Sequence, residues 1–221
     1  MKKTYLFAIL ALLIAGLACS SESNQKDTTE ATPELDDGIY FQDDFSDESA
    51  SWPTIREESG VTDFEDGVYR IYVNEPNADY LGAPGVFLER DIRVEVDATK
   101  VGGPDENDFG VLCRRRDEDN YYQFMITSDG YVGIMKRVDG SQYSIANEKL
   151  VQHFAINKGD AQNHIRADCI GDTLTLYVND QQVASAQDTT FMEGGDIGLF
   201  AGTYDLPGAD IHFDNLIVTM P

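Results

Sequence analysis

The sequence predicts an all-β domain built as a two-sheet antiparallel jelly-roll sandwich, and three observations support this. Apolar and polar residues alternate along runs such as 92–99 and 173–178, which is the period of a half-buried strand. Asp-Gly pairs at 66–67, 129–130 and 139–140 lie between the runs and favour tight hairpin turns. No stretch has a helical period, and we expect about nine strands after residue 107 and about four before it.

The first 18 residues have the features of an export signal. Lys2 and Lys3 precede an apolar run that is too short to span a bilayer, and Ala18-Cys19 follows it,. This ending resembles the lipobox of bacterial lipoproteins, although Gly16 stands where that family most often has leucine. The resemblance implies that residues 1–18 are removed and that Cys19 carries acyl chains such as palmitate. A plain secretory signal with an incidental cysteine is the alternative.

The remaining chain divides into a tether and one domain. Residues 19–37 are polar and acidic and contain almost no large apolar side chains, so they cannot bury enough surface to fold. They would span on the order of 25 Å as a flexible coil. Residues 38–221 suffice for one core, and we expect one jelly-roll domain there. The protein would then sit in the cell envelope as a membrane-anchored lipoprotein facing outside the cytoplasm.

The charge of the chain restricts its partners. Loss of Lys2 and Lys3 with the leader takes the formal charge from −24 to −26. Such an acidic surface repels phosphate backbones and anionic lipid head groups, so we expect no nucleic-acid partner and no membrane contact other than the lipid anchor. Solubility outside the cell is a sufficient reason for the acidity. We expect a monomer.

Two cysteines remain once Cys19 is assigned to lipid. Cys113 and Cys169 each fall on the apolar parity of a predicted strand. An even number of cysteines in an exported protein favours a disulfide, and closing a loop of this length would stabilise the fold by about 4 kcal/mol. Two unpaired buried thiols are the alternative.

Several strand motifs resemble one fold family. The segments 109–114 and 120–124 form a strand pair, and the segments 172–179, 198–201 and 213–216 fit the same pattern. Together they resemble concanavalin A-like jelly rolls of the laminin-G, 3-keto-disaccharide hydrolase and glycoside hydrolase family 16 type. The resemblance covers residues 39–220 and implies the fold, but it says little about function because lectins, glucanases and adhesion modules share it.

The sequence lacks the catalytic motif of family 16. That motif is Glu-x-Asp-x-x-Glu or a shorter form, and retaining hydrolysis needs two carboxyl groups about 5 Å apart. Glu95 and Asp97 match its opening, but Thr99 and Lys100 stand where the second glutamate should fall. We therefore predict no catalytic residues, and Glu95 and Asp97 remain candidate ligand-binding residues. The alternative is that they form the solvated face of a strand.

Calcium is the one cofactor for which the sequence offers ligands. Asp43 and Asp44 lie on the first strand, and Asp214 and Asn215 lie on the last. The resembling jelly rolls often join these two strands with calcium, which prefers such oxygen ligands. Ordinary turn chemistry is the alternative.

The reverse face of the central strands is the predicted ligand-binding surface. If Val111, Cys113 and Tyr122 point into the core, pleating places their neighbours on the other face. Arginine, tyrosine and glutamine there could grip hydroxyl-rich rings. The candidate residues are Arg114, Tyr121, Gln123 and Tyr131. We predict a surface-anchored, non-catalytic module that binds carbohydrate or another extracellular polymer; a hydrolase with an unrecognised acid pair and a purely structural module are the alternatives.

Overall fold

The computed structural model describes residues 38–48 and 51–221. Within these ranges the only regular secondary structure is the β-strand, and turns and loops connect the strands. In chain order they are β1 Ile39–Asp43, β2 Ile55–Arg56, β3 Gly60–Glu65, β4 Val68–Val73, β5 Asp79–Gly82, β6 Ile92–Gly102, β7 Asn107–Asp117, β8 Asn120–Ile126, β9 Tyr131–Val138, β10 Ser141–Ser144, β11 Val151–Gln152, β12 Gln162–Ile170, β13 Thr173–Val178, β14 Gln181–Gln187, β15 Asp196–Thr203 and β16 Ala209–Thr219. No membrane-crossing helix is found in the described ranges. The predicted leader, Cys19 and the tether lie outside them.

The strands form two antiparallel sheets, which confirms the predicted fold class. Sheet I has nine strands in the order β14-β13-β12-β6-β16-β4-β3-β2, with β1 pairing to β16. Sheet II has seven strands in the order β10-β9-β8-β7-β15-β5, with β11 pairing to β9. The predicted Asp-Gly turn between β9 and β10 is present. Asp139 and Gly140 both have the positive φ (48° and 77°) that a tight hairpin needs,.

The main core lies between the sheets. On β6 the side chains of Ile92, Val94, Val96 and Ala98 are fully buried, and the residues that alternate with them are partly exposed. On sheet II, Val111, Tyr122 and Phe124 belong to the same core, whereas Leu112, Tyr121 and Met125 form a separate cluster. The predicted division of β7 and β8 into two faces is confirmed at these positions.

A disulfide joins the two sheets through the core. Cys113 on β7 pairs with Cys169 on β12, and their Cα atoms lie 6.9 Å apart. Both residues are fully buried. The prediction of this bond is confirmed, and it links strands that belong to different sheets.

Arg114 corrects the parity prediction for β7. The pairing of β7 with β8 is interrupted between Cys113 and Asp117, and Arg114 has a φ of 50°. This bulge turns its side chain into the interior instead of toward the Tyr121 face. The guanidinium donates to the carbonyl oxygens of Arg90 at 3.0 Å, Phe191 at 2.9 Å, Cys169 at 3.2 Å and Gly171 at 2.8 Å. Arg114 is therefore a structural residue and is not available to a surface ligand.

The two ends of the domain meet on sheet I. Asp43 on β1 pairs with Leu216 on β16, and the Met220 amide donates to the Gly38 carbonyl at 2.9 Å. Trp52 packs against Phe45 and Tyr69 beside this junction. The first and last described strands therefore pair with each other within sheet I.

Candidate ligand-binding face of sheet II

The outer face of sheet II has an apolar floor. Leu112, Tyr121, Met125 and Phe200 pack together there and are at most 2% exposed. Leu81, Met135 and Leu150 pack against them. Several positions of this face are glycine, which keeps the floor low between the larger side chains. The four central side chains are covered, and of this cluster only Leu81 and Leu150 line a pocket on the face.

A pocket of about 730 Å³ opens at one end of this floor. We call it the Arg137 pocket. Its lining includes Asp79, Leu81, Arg115, Asp119, Arg137 and Asp196. These residues come from β5, β7, β9, β15 and the β7–β8 turn, so the pocket is created by sheet pairing and not by one contiguous segment.

Two arginines in the Arg137 pocket have hydrogen-bond donors without acceptors. Arg115 Nε and Arg137 Nε are buried atoms with no hydrogen-bond partner, and among the described residues only Asp63 Oδ1 shares this property. Both arginines form long ion pairs that are not hydrogen bonds, with Arg115 Nη1 at 3.7 Å from Asp196 and Arg137 Nε at 3.9 Å from Asp119. A buried polar group without a partner costs free energy, so each Nε atom is an unsatisfied donor, whereas other parts of both guanidinium side chains reach the surface.

Asp79 gives the same pocket an acceptor. No side chain or amide in the described ranges donates a hydrogen bond to it. Desolvation raises the pKa of Asp79, and the charge of Arg137 opposes that rise. The Arg137 pocket thus combines a carboxylate acceptor with two guanidinium groups, and Leu81 adds an apolar side chain to its lining.

Asp79 also faces a second carboxylate, Asp108. Gly202 on β15 pairs with Asp79 on β5 and with Asp108 on β7. A Cβ atom on Gly202 would lie 2.2 Å from Asp108 Oδ1 and 2.3 Å from Asp79 Oδ1, so the two carboxylates converge above this glycine. Burial and the charge of Asp79 raise the pKa of Asp108 to about 7, although a hydrogen bond from Tyr204 acts in the opposite direction.

The predicted binding residues are not all brought together. Tyr121 lies on this face but is 1% exposed, and its hydroxyl contacts Arg137 Nη1 at 3.4 Å. Gln123 is also buried and accepts a hydrogen bond from Gln142 at 2.7 Å. Both side chains are therefore buried beneath the outer surface of sheet II and are held there by hydrogen bonds. Tyr131 is half-buried and lines a separate pocket of the same face.

Glu95 and Asp97 lie elsewhere. They project from the outer side of sheet I, because they alternate with core residues of β6. Asp97 contacts His164 Nδ1 at 2.9 Å and accepts a hydrogen bond from Asn215 at 3.1 Å. The core therefore separates Glu95 and Asp97 from the Tyr121 face, and their role as ligand-binding residues stays a prediction.

The predicted calcium ligands lie near one another but are occupied locally. Asp43, Asp44 and Asn215 line an open hollow of about 500 Å³, and Asp214 does not. Asp43 accepts from the Phe45 amide at 2.8 Å and from Trp52 Nε1 at 3.0 Å. The Asp214 carboxylate accepts from the Asn215 amide at 2.7 Å. Among the described residues no three His, Cys, Asp or Glu side chains are placed to hold a metal ion, so calcium here remains a prediction without geometric support.

Comparison with known proteins identifies the fold. No family model and no curated protein matches the chain. Carbohydrate-binding module CBM66 from Bacillus subtilis is similar in structure, with a TM-score of 0.60, 20% identity and coverage of 76% of this chain and 95% of that one. The fold is a concanavalin A-like jelly roll.

Other solved structures agree with that assignment. A Bacillus subtilis protein with a galectin-like fold matches with a TM-score of 0.62 and 10% identity, over 83% of this chain and 96% of that one. The Bacillus licheniformis β-glucanase matches with a TM-score of 0.60 and 11% identity, over 82% and 98%. At these identities the jelly roll is what the proteins have in common.

Proposed function

We propose that this jelly roll is a non-catalytic carbohydrate-binding module and that its ligand sits in the Arg137 pocket. The observation that carries the proposal is that the partly exposed guanidinium groups of Arg115 and Arg137 line one pocket together with the exposed carboxylate of Asp79. A sugar hydroxyl can donate to a carboxylate and accept from a guanidinium at once. The likeness to a carbohydrate-binding module supports the proposal, but only through the fold,.

A glycan array tests this proposal directly. The full-length protein, purified in mild detergent, should bind a defined subset of neutral glycans. Arg137→Gln and Asp79→Asn should each weaken capture about tenfold or more, since a hydrogen bond to a charged group contributes about 1.5–3 kcal/mol.

Arg56→Gln is the matched control. It also removes one guanidinium, but Arg56 lies on sheet I in an exposed ion pair with Asp63. Its capture of glycans should equal that of the wild type. Equal losses in Arg56→Gln and Arg137→Gln would refute a specific pocket, and so would an array with no bound glycan.

Glycoside hydrolysis is the second candidate, and the convergence of Asp79 and Asp108 favours it. A carboxyl group that stays protonated near neutral pH beside a second carboxylate is the arrangement of a retaining hydrolase. Asp108 is only 6% exposed, however, and this burial separates it from a glycosidic oxygen. Incubation of each array-positive glycan with the protein, followed by product analysis, distinguishes the two functions. Release of sugar that Asp108→Asn abolishes would establish the hydrolase.

We also propose that the module is anchored to a bacterial membrane through lipid on Cys19 and faces outside the cytoplasm. The lipobox-like sequence and the polar stretch that follows it support this proposal,. Cys19→Ala should move the protein from the membrane fraction to the soluble exported fraction. Retention of the variant in membranes would contradict the anchor.

A further inference from the structure

A second pocket lies on the same outer face of sheet II. It measures about 330 Å³, and its lining includes Thr127, Asp129, Tyr131, Lys149, Leu150 and Tyr204. We call it the Tyr131 pocket. Two tyrosine rings and one leucine give it apolar walls, and the other side chains supply hydrogen-bonding groups. This composition suits a sugar ring, which has C–H faces and a rim of hydroxyls.

The two pockets lie along one row of the sheet. Asp79, Gly202 and Asp108 are direct partners on β5, β15 and β7. Thr127 comes directly after Ile126, the partner of Phe109, and therefore lies beside Asp108. The Thr127 amide then donates to the Tyr131 carbonyl on β9 at 2.9 Å. Along β9, Tyr131 and Arg137 are six residues apart, which is about 20 Å and longer than one sugar ring.

Tyr204 connects the two pockets. It lines the Tyr131 pocket, and its side chain lies near the Asp108 carboxylate, which contributes to raising the pKa of Tyr204. It also lies within electrostatic range of Asp79 in one pocket and Asp129 in the other. The ring is 38% exposed. A ligand that leaves the Arg137 pocket along the row therefore meets an aromatic surface before it reaches Tyr131.

We propose that the Tyr131 pocket is a second subsite and that the ligand is an uncharged linear oligosaccharide lying across sheet II. This inference rests on the proposed carbohydrate-binding function. An uncharged chain fits because Glu106 and Asp129 line the second pocket and the whole protein carries a formal charge of −24, so a polyanionic glycan would be repelled.

The dependence of affinity on chain length tests the second subsite. The probes are maltose-, cellulose-, laminarin- and inulin-type sugars of one to six units, titrated by calorimetry against the full-length protein. Affinity for the bound series should rise at least tenfold between one unit and four or more units. Tyr131→Ala should remove most of this gain, while binding of the single sugar stays within twofold of the wild type.

Two further variants keep the test interpretable. Tyr131→Phe retains the ring and should keep most of the gain. Tyr143→Ala removes a 51% exposed tyrosine from the edge strand β10 and should bind every length like the wild type. Thermal melts of all variants report folding.

The outcomes separate the second subsite from the proposed function. Equal affinity for one unit and six units would overturn the second subsite and leave the Arg137 pocket standing. An equal loss for all lengths in Tyr131→Ala would also overturn it. Binding of none of these probes would overturn this inference, and the proposed function fails with it only if the glycan array also shows no bound glycan.

Discussion

At the scale of single residues, the most informative side chain is the buried Arg114. Charged groups are rarely buried without partners, and here four carbonyl oxygens from three segments of the chain accept its hydrogen bonds. Side-chain parity from the sequence located Leu112, Tyr121 and Tyr122 correctly. The parity prediction failed at Arg114 because the bulge in β7 shifts the alternation of side chains by one residue. No local residue pattern predicts that bulge.

Arg114→Ala should destabilise the domain strongly. The variant leaves buried carbonyls without donors, and the loss should be about 3–5 kcal/mol in the free energy of unfolding. Chemical denaturation against the exposed control Arg56→Ala measures it. A loss below about 1 kcal/mol would mean that water replaces the guanidinium.

Asp108 should make stability depend on pH. Its pKa is about 7 in the folded protein against 3.8 for an ordinary aspartate. The folded state therefore retains a proton that the unfolded state releases, and this contribution is complete below about pH 4 and is lost as the pH rises to about 7. The contribution amounts to at most about 4 kcal/mol.

The measurement for Asp108 is the melting temperature from pH 4.5 to 8. Wild type should lose stability across this range relative to Asp108→Asn, which has no carboxyl group to titrate. Comparison with the variant cancels the other carboxylates, several of which have lowered pKa values, such as Asp188 at about 2. Parallel curves would show that Asp108 is ionised in the folded protein at all these pH values.

At the scale of elements, the strand patterns were predictable and the pockets were not. Alternation along β6 and the turn pairs follow from local sequence. Arg137 continues the outward parity of Tyr131 and Met135 on β9 and could have been found by extending that pattern. Asp79 and Arg115 could not, because their meeting depends on β15 lying between β5 and β7, and pairing order is not a local property.

The disulfide between β7 and β12 should contribute measurably to stability. Its cysteines are separated by 56 residues, and opening a loop of that size costs about 4 kcal/mol on the chain-entropy model. The double variant Cys113→Ala/Cys169→Ala should unfold at lower denaturant than the oxidised wild type.

Reduced wild type is the control for the disulfide. It has the same packing atoms without the bond and should fall near the double variant. If reduction leaves the midpoint unchanged, the bond contributes nothing beyond the packing of the two side chains.

At the scale of the whole molecule, the fold class followed from strand periodicity and turn pairs, and the sequence also indicated the outer face of the central strands, whereas the two pockets on that face required coordinates. The protein carries a formal charge of −24, but binding of an uncharged glycan should depend little on salt. The reason is that few ions are released when the ligand brings no charge to pair with the protein. Affinity measured at 50 mM and 500 mM sodium chloride should therefore agree within about threefold. A steep dependence would indicate a charged ligand.

The disulfide would bear mechanical load if the chain is tethered at Gly38 and a polymer is held on sheet II. Tension would enter through β1 on sheet I and leave through the opposite sheet, so the interior between the sheets would carry the load. Apolar contacts there resist separation only weakly. The covalent link from β7 to β12 crosses the same plane, and it would let the domain hold a moving polysaccharide without its two layers coming apart.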